Sequence, residues 1–181
     1  MNEKIVVAVT GGIASYKAPD IISGLMKSTE DEFSDVNVMQ TEASKNFVTR
    51  PSLSNIADHY YENSWEEPVH INASENCSIF VIVPATANIV GKIANGICDD
   101  LVSSTAIALD DKTVKIVCPA MNTRMWENKA FKRNLDILVG DGWELILPVE
   151  GELACGTTGM GKLASTRQIV EKVIQIWTRS K

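Results

Sequence analysis

Residues 119–126 bring together side chains that can bind a small polar ligand. They include the amide of Asn122, two methionines and Trp126, and they follow the β-branched run 113–117. Open α/β sheets hold their ligands at the carboxyl ends of strands, and an asparagine amide offers both donors and an acceptor. A carboxylate is the expected guest. Core packing around a helix that Asn122 caps is the alternative, and the residues alone leave both interpretations open.

A glycine pair marks a second candidate site. Residues 4–10 are apolar and β-branched, as in a strand buried on both faces, and Gly11 and Gly12 separate them from a helical pattern that runs from 13 to 25. Glycines let the backbone approach an anion, and the free amides at a helix start, with the Ser15 hydroxyl, can hold a phosphate. A tight turn without a ligand is the alternative, since Gly-Gly is weaker evidence than a full dinucleotide fingerprint.

Two further strand ends carry small polar side chains. Thr41 ends the predicted strand 36–41, where a dinucleotide site would carry an acidic residue for the ribose, so a mononucleotide is favoured over NAD. Thr86 and Asn88 follow the predicted strand 78–83 and suit a flat polar ring or a ribityl chain.

Cys155 differs from the other three cysteines because it lies in a long glycine-rich loop, and a loop this long in a small domain is usually functional. The cysteines are widely spaced and form no CxxC pair, so we expect no metal site. Small, buried apolar positions are expected for the remaining three, Cys77, Cys98 and Cys118.

Alternating strand and helix patterns predict an α/β fold with a three-layer, doubly wound parallel sheet, Rossmann or flavodoxin-like, in one domain over residues 1–181. The predicted strands are 4–10, 36–41, 78–83, 113–118 and 143–147. The predicted helices are 13–25, 42–48, 51–59, one through 94, one starting within 95–105, 128–140 and 166–178. Loops are expected at 30–35, 60–69 and 148–165.

The composition of the chain limits the kinds of partner that it can bind. The formal net charge of −6 without a basic cluster argues against nucleic acid. Apolar residues make up 45% of the 181-residue chain, yet no run is long enough to cross a bilayer. The first residues lack the order of a signal peptide, so we expect a cytoplasmic protein with a small-molecule ligand and no membrane partner.

Taken together, the motifs resemble those of the flavin-dependent cysteine decarboxylases, above all the phosphopantothenoylcysteine decarboxylases of coenzyme A synthesis. The resemblance covers nearly the whole chain. It rests on residues 11–17, 70–71, 84–88, 100–103, 119–122 with 125–126, and 154–156. Lys162-Leu163 departs from the Arg-Met that the pattern leads us to expect, and lysine keeps the charge but lacks the planar fork of arginine.

The resemblance implies FMN-dependent decarboxylation of 4′-phosphopantothenoylcysteine to 4′-phosphopantetheine. It implies that His70 is the active-site base, that Asn122 holds the substrate carboxylate and that Cys155 is the proton donor. Met121 and Ala154 would contact the substrate, and Lys162 would lie in a flexible flap over it. The FMN-binding residues that it implies are Gly11, Gly12, Ser15, Thr41, Thr86, Asn88, Ser103 and Ser104, although Thr41 and the two neighbouring serines also fit plain helix caps.

The chemistry explains why such an enzyme needs a flavin. Losing CO₂ from an unactivated cysteine leaves a carbanion that nothing delocalises, so the cofactor must provide an electron sink. Oxidation of the thiol to a thioaldehyde lets the carboxylate leave, which gives an ene-thiol. Protonation by Cys155 and hydride return from the reduced flavin then restore the saturated thiol.

Three related classes are alternatives. Peptidyl-cysteine oxidative decarboxylases stop at the ene-thiol and, as the resemblance implies, lack the cysteine that stands here as Cys155. Flavin-bearing regulatory subunits tend to carry acidic extensions, whereas this chain ends three residues after Thr178. A flavin prenyltransferase is disfavoured by the intact Pro-Ala-Met-Asn turn.

The resemblance also predicts a stand-alone decarboxylase that works with a separate ligase. It implies a homo-oligomer, a trimer with a dodecamer as a larger assembly, in which FMN lies near subunit contacts. In such an assembly His70 can act on the flavin of a neighbouring copy.

Overall fold

The computed structural model describes residues 4–29, 35–64 and 66–180, and strands and helices alternate along them. The strands are β1 (Lys4–Val9), β2 (Asp35–Gln40), β3 (His59–Tyr61), β4 (Cys77–Ala85), β5 (Val114–Pro119), β6 (Glu144–Leu145), β7 (Val149–Glu152) and β8 (Thr158–Lys162). The α-helices are α1 (Ala18–Thr29), α2 (Arg50–Ser54), α3 (Val69–Ser74), α4 (Ala87–Ala94), α5 (Leu101–Ile107), α6 (Thr123–Trp126), α7 (Lys129–Gly140) and α8 (Thr166–Ser180). Short 3₁₀ helices span Ile13–Lys17 and Glu42–Asn46.

Six strands form one parallel sheet in the order β3-β2-β1-β4-β5-β6. This is the doubly wound order, and without the short edge strand β3 it becomes the flavodoxin-like order of five strands. The direction of winding reverses between β1 and β4. The predicted α/β fold with a doubly wound parallel sheet is confirmed.

Helices cover both faces of the sheet because successive side chains of each strand point to opposite sides. Ile5, Val7 and Val9 of β1 pack with α1 and α8, whereas Val6 and Ala8 pack with α4, α5 and α7. Each of these five side chains is fully buried. The nearly continuous apolar run of β1 therefore follows from its place inside three layers.

The prediction for residues 51–69 was wrong in two places. His59–Tyr61 forms the edge strand β3, paired with Asn37–Met39 of β2, where a helix end and a loop were expected. Val69–Ser74 forms α3, which was not predicted. Both elements are too short for their sequences to show a helix or strand period. β3 forms because it pairs with β2, which is distant in the sequence.

Residues 148–165 are not the irregular loop that we expected. They contain an antiparallel hairpin in which β7 pairs with β8, separately from the main sheet. The glycine-rich segment shows no strand pattern because one of the two half-buried positions of β7 is a glycine and β8 has no regular alternation of burial.

Smaller differences concern element ends and one cysteine. The helix expected from residue 13 begins as a 3₁₀ turn, and the last sheet strand is shortened to Glu144–Leu145. Cys98 is exposed rather than buried as expected, while Cys77 and Cys118 are buried. Residues 30–34 of the expected acidic loop lie outside the described residues. Within the described part, no helix has the length and apolar character to cross a membrane.

Candidate active site

A cavity of about 720 Å³ opens where β1, β4 and β5 end. It lies beside the point where the winding of the sheet reverses, which is where doubly wound sheets bind ligands. The volume is within the usual range for cofactor and substrate pockets. Eight of the residues predicted for the site line it: Gly11, Gly12, Thr86, Met121, Asn122, Ala154, Cys155 and Lys162.

The glycine turn forms one wall because two backbone segments meet there. A Cβ on Gly11 would lie 2.6 Å from the Cβ of Ala43, in the 3₁₀ helix that follows β2. Gly12 is less crowded, with Thr86 Cγ2 as its nearest neighbour at 3.7 Å. The first amides of the 3₁₀ helix after Gly12 have no intrahelical acceptor, so this wall can donate hydrogen bonds to an anion.

Thr10 connects the ends of β1 and β4, and sequence reasoning missed it. Its buried Oγ1 donates to the Pro84 carbonyl at 2.7 Å and accepts from the Thr86 amide at 3.0 Å. Thr86 Oγ1 in turn accepts from the Ile89 amide at 3.3 Å and caps α4. The sequence offered one signal for this role, a threonine that ends the predicted strand immediately before two glycines. This network holds the two strand ends at a fixed separation.

Asn122 caps a helix and also lines the cavity, so the two interpretations that the sequence left open are compatible. Its Oδ1 accepts a hydrogen bond from the Met125 amide at 2.9 Å and caps α6. Its Nδ2 has no partner among the described residues, and the exposed side chain lines the cavity. Trp126 is buried, whereas Met125 is 44% exposed and also lines the cavity. The cap therefore orients the amide so that a donor remains for a ligand.

Residues 153–157 form the tip of the β7–β8 hairpin, and Cys155 lies within it. The tip is closed by a hydrogen bond from the Leu153 amide to the Thr157 carbonyl at 2.9 Å. The exposed Cys155 Sγ is 3.1 Å from Thr157 Oγ1. This hydrogen bond, with the Thr157 backbone and the positive charge of Arg124, lowers the pKa of the Cys155 thiol.

Two lysines supply positive charge to the cavity wall. Lys17 belongs to the first 3₁₀ helix and Lys162 ends β8. Partial burial lowers the pKa of Lys17, and the positive charge of Lys162 lowers it further. Glu152 lines the same cavity. Lys17 belongs to the motif at residues 11–17, but the sequence predicted no role for it. Its proximity to Lys162 arises only when the chain folds.

Five predicted cofactor ligands, with Thr41 among them, do not line this cavity. Ser15 is fully buried and donates to the Thr10 carbonyl at 2.7 Å. Ser103 is fully buried in a reciprocal cap with Asp100, and Ser104 donates to the Cys98 carbonyl at 3.2 Å. Asn88 is exposed on α4. The three hydroxyls support the local backbone, and their roles as FMN ligands stay predictions.

Thr41 and His70 also lie outside the cavity lining. Thr41 Oγ1 is buried and has no hydrogen-bond partner in the part of the chain that the structure describes. His70 lies on α3, which packs against α5, and its side chain is partly exposed. The structure therefore does not bring His70 together with Asn122 and Cys155 within one chain. Across residues 4–29, 35–64 and 66–180, no group of three or more potential ligands could hold a metal.

Known proteins with similar sequences cover this chain almost completely. A probable phosphopantothenoylcysteine decarboxylase of Streptococcus mutans is 36% identical over 179 residues, which cover 96% of this chain and 98% of the relative. The coenzyme A biosynthesis bifunctional protein CoaBC of Bacillus subtilis is 36% identical over 177 residues. That match covers 94% of this chain but only 42% of the bifunctional relative.

Solved structures with a similar fold also cover this chain almost completely. A cysteine-to-serine variant of a PPC decarboxylase, complexed with pantothenoylaminoethenethiol, superposes with a TM-score of 0.86 at 30% identity and covers 98% of this chain and 100% of that one. The FMN binding protein AtHal3 superposes with a TM-score of 0.83 at 30% identity, and the match covers 99% of this chain and 98% of that one. The model of the Flavoprotein family matches residues 1–178. The chain belongs to the Flavoprotein family.

Proposed function

We propose that this protein is an FMN-dependent phosphopantothenoylcysteine decarboxylase, which converts 4′-phosphopantothenoylcysteine to 4′-phosphopantetheine and CO₂ in coenzyme A synthesis. One observation carries the proposal: a single cavity brings the glycine turn, the Asn122 amide and the Cys155 thiol together. The relatives and structural neighbours with the same activity in their names support it.

The residues present fit a flavin mononucleotide. Gly11 and Gly12 line one wall beside the start of the 3₁₀ helix, where the amides of Ile13 and Ala14 have no intrahelical acceptor and can donate to a phosphate, and Thr86 lines the adjoining wall. Thr41 does not line the cavity, but its Oγ1 is a buried hydroxyl that lacks a partner among the described residues, and in this proposal the cofactor supplies that partner. Bound FMN supplies a reversible two-electron acceptor beside the substrate.

Asn122 binds the substrate carboxylate in this proposal. Because its Oδ1 is held by the Met125 amide, the Nδ2 group is directed to the remaining space as a hydrogen-bond donor. A donor is the group that a carboxylate needs. The capping bond also removes rotation of the amide, so the carboxylate is aligned before its bond to carbon breaks.

Cys155 donates the proton of the reducing step, for which the reduced cofactor would supply the hydride, so that the ene-thiol gains both hydrogens of the product. The proton moves from Sγ to the carbon of the ene-thiol, and the sulfur becomes a thiolate. The Thr157 hydroxyl and the positive charge of Arg124 stabilise that thiolate, which is why they lower the pKa of the thiol. A thiol with a lowered pKa is a better acid near neutral pH.

Lys17 and Lys162 place positive charge at the same cavity, where a phosphorylated substrate and a phosphorylated cofactor must both bind. The lowered pKa of Lys17 reflects its partial burial and the cost of holding two ammonium groups close together without an anion. A bound phosphate between them would offset that repulsion. Lysine at 162 therefore keeps the electrostatic part of the contact that an arginine would make.

A second copy of the chain supplies His70 to the site in our proposal. His70 does not line the cavity of its own chain, while its neighbour Ile71 is 39% exposed on the same short helix. We propose a trimer, with a dodecamer as the larger assembly, in which α3 lies at a subunit contact. A cytoplasmic location belongs to the same proposal.

The test supplies 4′-phosphopantothenoylcysteine to the purified protein and follows flavin absorbance, CO₂ and product mass. We expect a yellow protein that releases CO₂ and forms 4′-phosphopantetheine. Cys155→Ser should still release CO₂ but accumulate a species two hydrogens lighter than phosphopantetheine. Full product from Cys155→Ser would remove the thiol from the mechanism, and a wild-type protein that stops at the lighter species would favour peptidyl-cysteine decarboxylation.

A further inference from the structure

Two hydrogen bonds fasten the β7–β8 hairpin to the turn that carries Asn122. The Met121 amide donates to the Gly161 carbonyl at 2.9 Å. Thr123 Oγ1 donates to the Met160 carbonyl at 2.9 Å, in a partly buried bond. The residues that flank Asn122 on both sides are therefore bonded to strand β8.

Two glycines of β8 show how close this contact is. A Cβ on Gly159 would overlap Thr123 Oγ1, and a Cβ on Gly161 would overlap the Met121 carbonyl oxygen. Gly161 also has a φ of +126°, which residues with a side chain rarely adopt. Strand β8 thus lies so close to the turn that only glycine fits at these two positions.

The contact matters because, among the residues that the structure describes, the hairpin forms no strand pairing with the main sheet. Its tip is closed by its own hydrogen bonds, so Cys155 moves with the hairpin as a unit. The place where β8 meets the turn consequently determines where Cys155 lies relative to Asn122.

We propose that Thr123 is a positioning residue that docks the β7–β8 hairpin on the Asn122 turn, so that the carboxylate-binding amide and the proton-donating thiol keep one separation. The proposal rests on the proposed function for the roles of Asn122 and Cys155. Thr123 itself touches no reacting atom. It acts through the carbonyl of Met160.

Thr123→Val removes the hydroxyl and keeps the branched shape of the side chain. We expect hydrogen exchange at the Met121 amide and in the hairpin to become about two- to tenfold faster, the size that one lost hydrogen bond produces. We also expect a larger share of the released CO₂ to appear with the species two hydrogens lighter than product. Decarboxylation needs Asn122, which stays in place, whereas reduction needs Cys155, which moves. Thr123→Ser should restore both readouts.

Thr113→Val is the matched control. Thr113 Oγ1 also donates to a distant backbone carbonyl, that of Cys77 at 2.8 Å, at the opposite edge of the sheet. We expect this variant to lose stability without faster exchange in the hairpin or a changed product ratio. If Thr113→Val changes the product ratio as much as Thr123→Val does, or if Thr123→Val changes neither readout, the positioning role is refuted.

A double-mutant cycle keeps the proposal testable if Thr123→Val folds poorly. Gly159→Ala should accelerate hairpin exchange because its new methyl group meets Thr123 Oγ1. In a Thr123→Ala background that oxygen is absent, so the added cost of Gly159→Ala should fall, and equal costs in both backgrounds would contradict the docking contact. A wild-type protein that releases no CO₂ would refute the proposed function, and the exchange measurements would still decide the docking.

Discussion

Gly11→Ala should destabilise the protein through steric contacts with one residue, Ala43. An ideal Cβ at this position lies 2.6 Å from the Ala43 Cβ and 2.8 Å from the Ala43 carbonyl carbon. Carbon atoms pack best at about 3.5–4.0 Å, so each contact is too short by about 1 Å. Ala43 has no rotamer to change and one of the contacts is to its backbone. Either the glycine turn or the 3₁₀ helix Glu42–Asn46 must move.

The size of the effect follows from that movement. Inserting a methyl group into a packed site usually costs about 1–3 kcal/mol. The 3₁₀ helix is held by Ser44, which is fully buried and accepts from Gln40 Nε2 at 2.9 Å, so it cannot shift freely. We expect about 2 kcal/mol of lost stability, which lowers the melting temperature by about 4–8 °C for a chain of this size.

Gly12→Ala is the control, because the two glycines are adjacent and line the same cavity. A Cβ on Gly12 meets only Thr86 Cγ2, at an ordinary 3.7 Å, and its φ of −153° suits any residue. We expect its unfolding free energy to stay within about 0.5 kcal/mol of the wild type. In the proposed function a flavin phosphate approaches this wall and the added methyl group would occupy it, so we expect bound FMN to decrease nevertheless.

Urea unfolding of the apoprotein and flavin absorbance of the purified holoprotein separate the two effects. Gly11→Ala should lower both the urea concentration at the unfolding midpoint and the flavin content. Gly12→Ala should lower the flavin content alone. Equal unfolding midpoints for Gly11→Ala and the wild type would show that the crowding at Ala43 has no energetic consequence. Undiminished flavin in Gly12→Ala would remove that backbone from the cofactor site.

Two further predictions concern individual side chains. His70→Asn and Asn122→Asp should each block or greatly slow CO₂ release, measured with the wild type as reference, and normal release by either variant would overturn its assignment. Thr157→Val should raise the pKa of the Cys155 thiol, since the hydroxyl lowers it now. The pH at which Cys155 becomes readily alkylated should therefore move upward, measured by peptide mass spectrometry with the exposed Cys98 as internal reference. An unchanged alkylation profile would exclude Thr157 as the cause.

The surroundings of the predicted cofactor ligands were only partly predictable from residue types. Ser15 and Thr41 are both small hydroxyl residues beside a predicted strand end, yet Ser15 bonds the backbone and Thr41 has a buried oxygen without a partner among the described residues. Nothing local distinguishes them. The difference arises from which carbonyl groups the surrounding turns bring within reach.

The order of residue types along the chain was enough to predict the doubly wound fold and the edge of the sheet that carries the site. Apolar runs such as residues 5–9 can be satisfied only between two layers of helices, and parallel strands bring their carboxyl ends to one edge. Gly11, Thr86 and Asn122 each follow a predicted strand, so the residue pattern alone groups them at that edge.

Contacts between segments far apart in the chain depend on how the folded elements pack. Strand β3 depends on pairing with β2, and the β7–β8 hairpin depends on docking against Thr123. The proximity of Lys17 and Lys162 and the separation of His70 from the cavity likewise follow from packing. Local sequence carries no record of such contacts, because their free energy belongs to pairs of segments that meet only when the chain is folded.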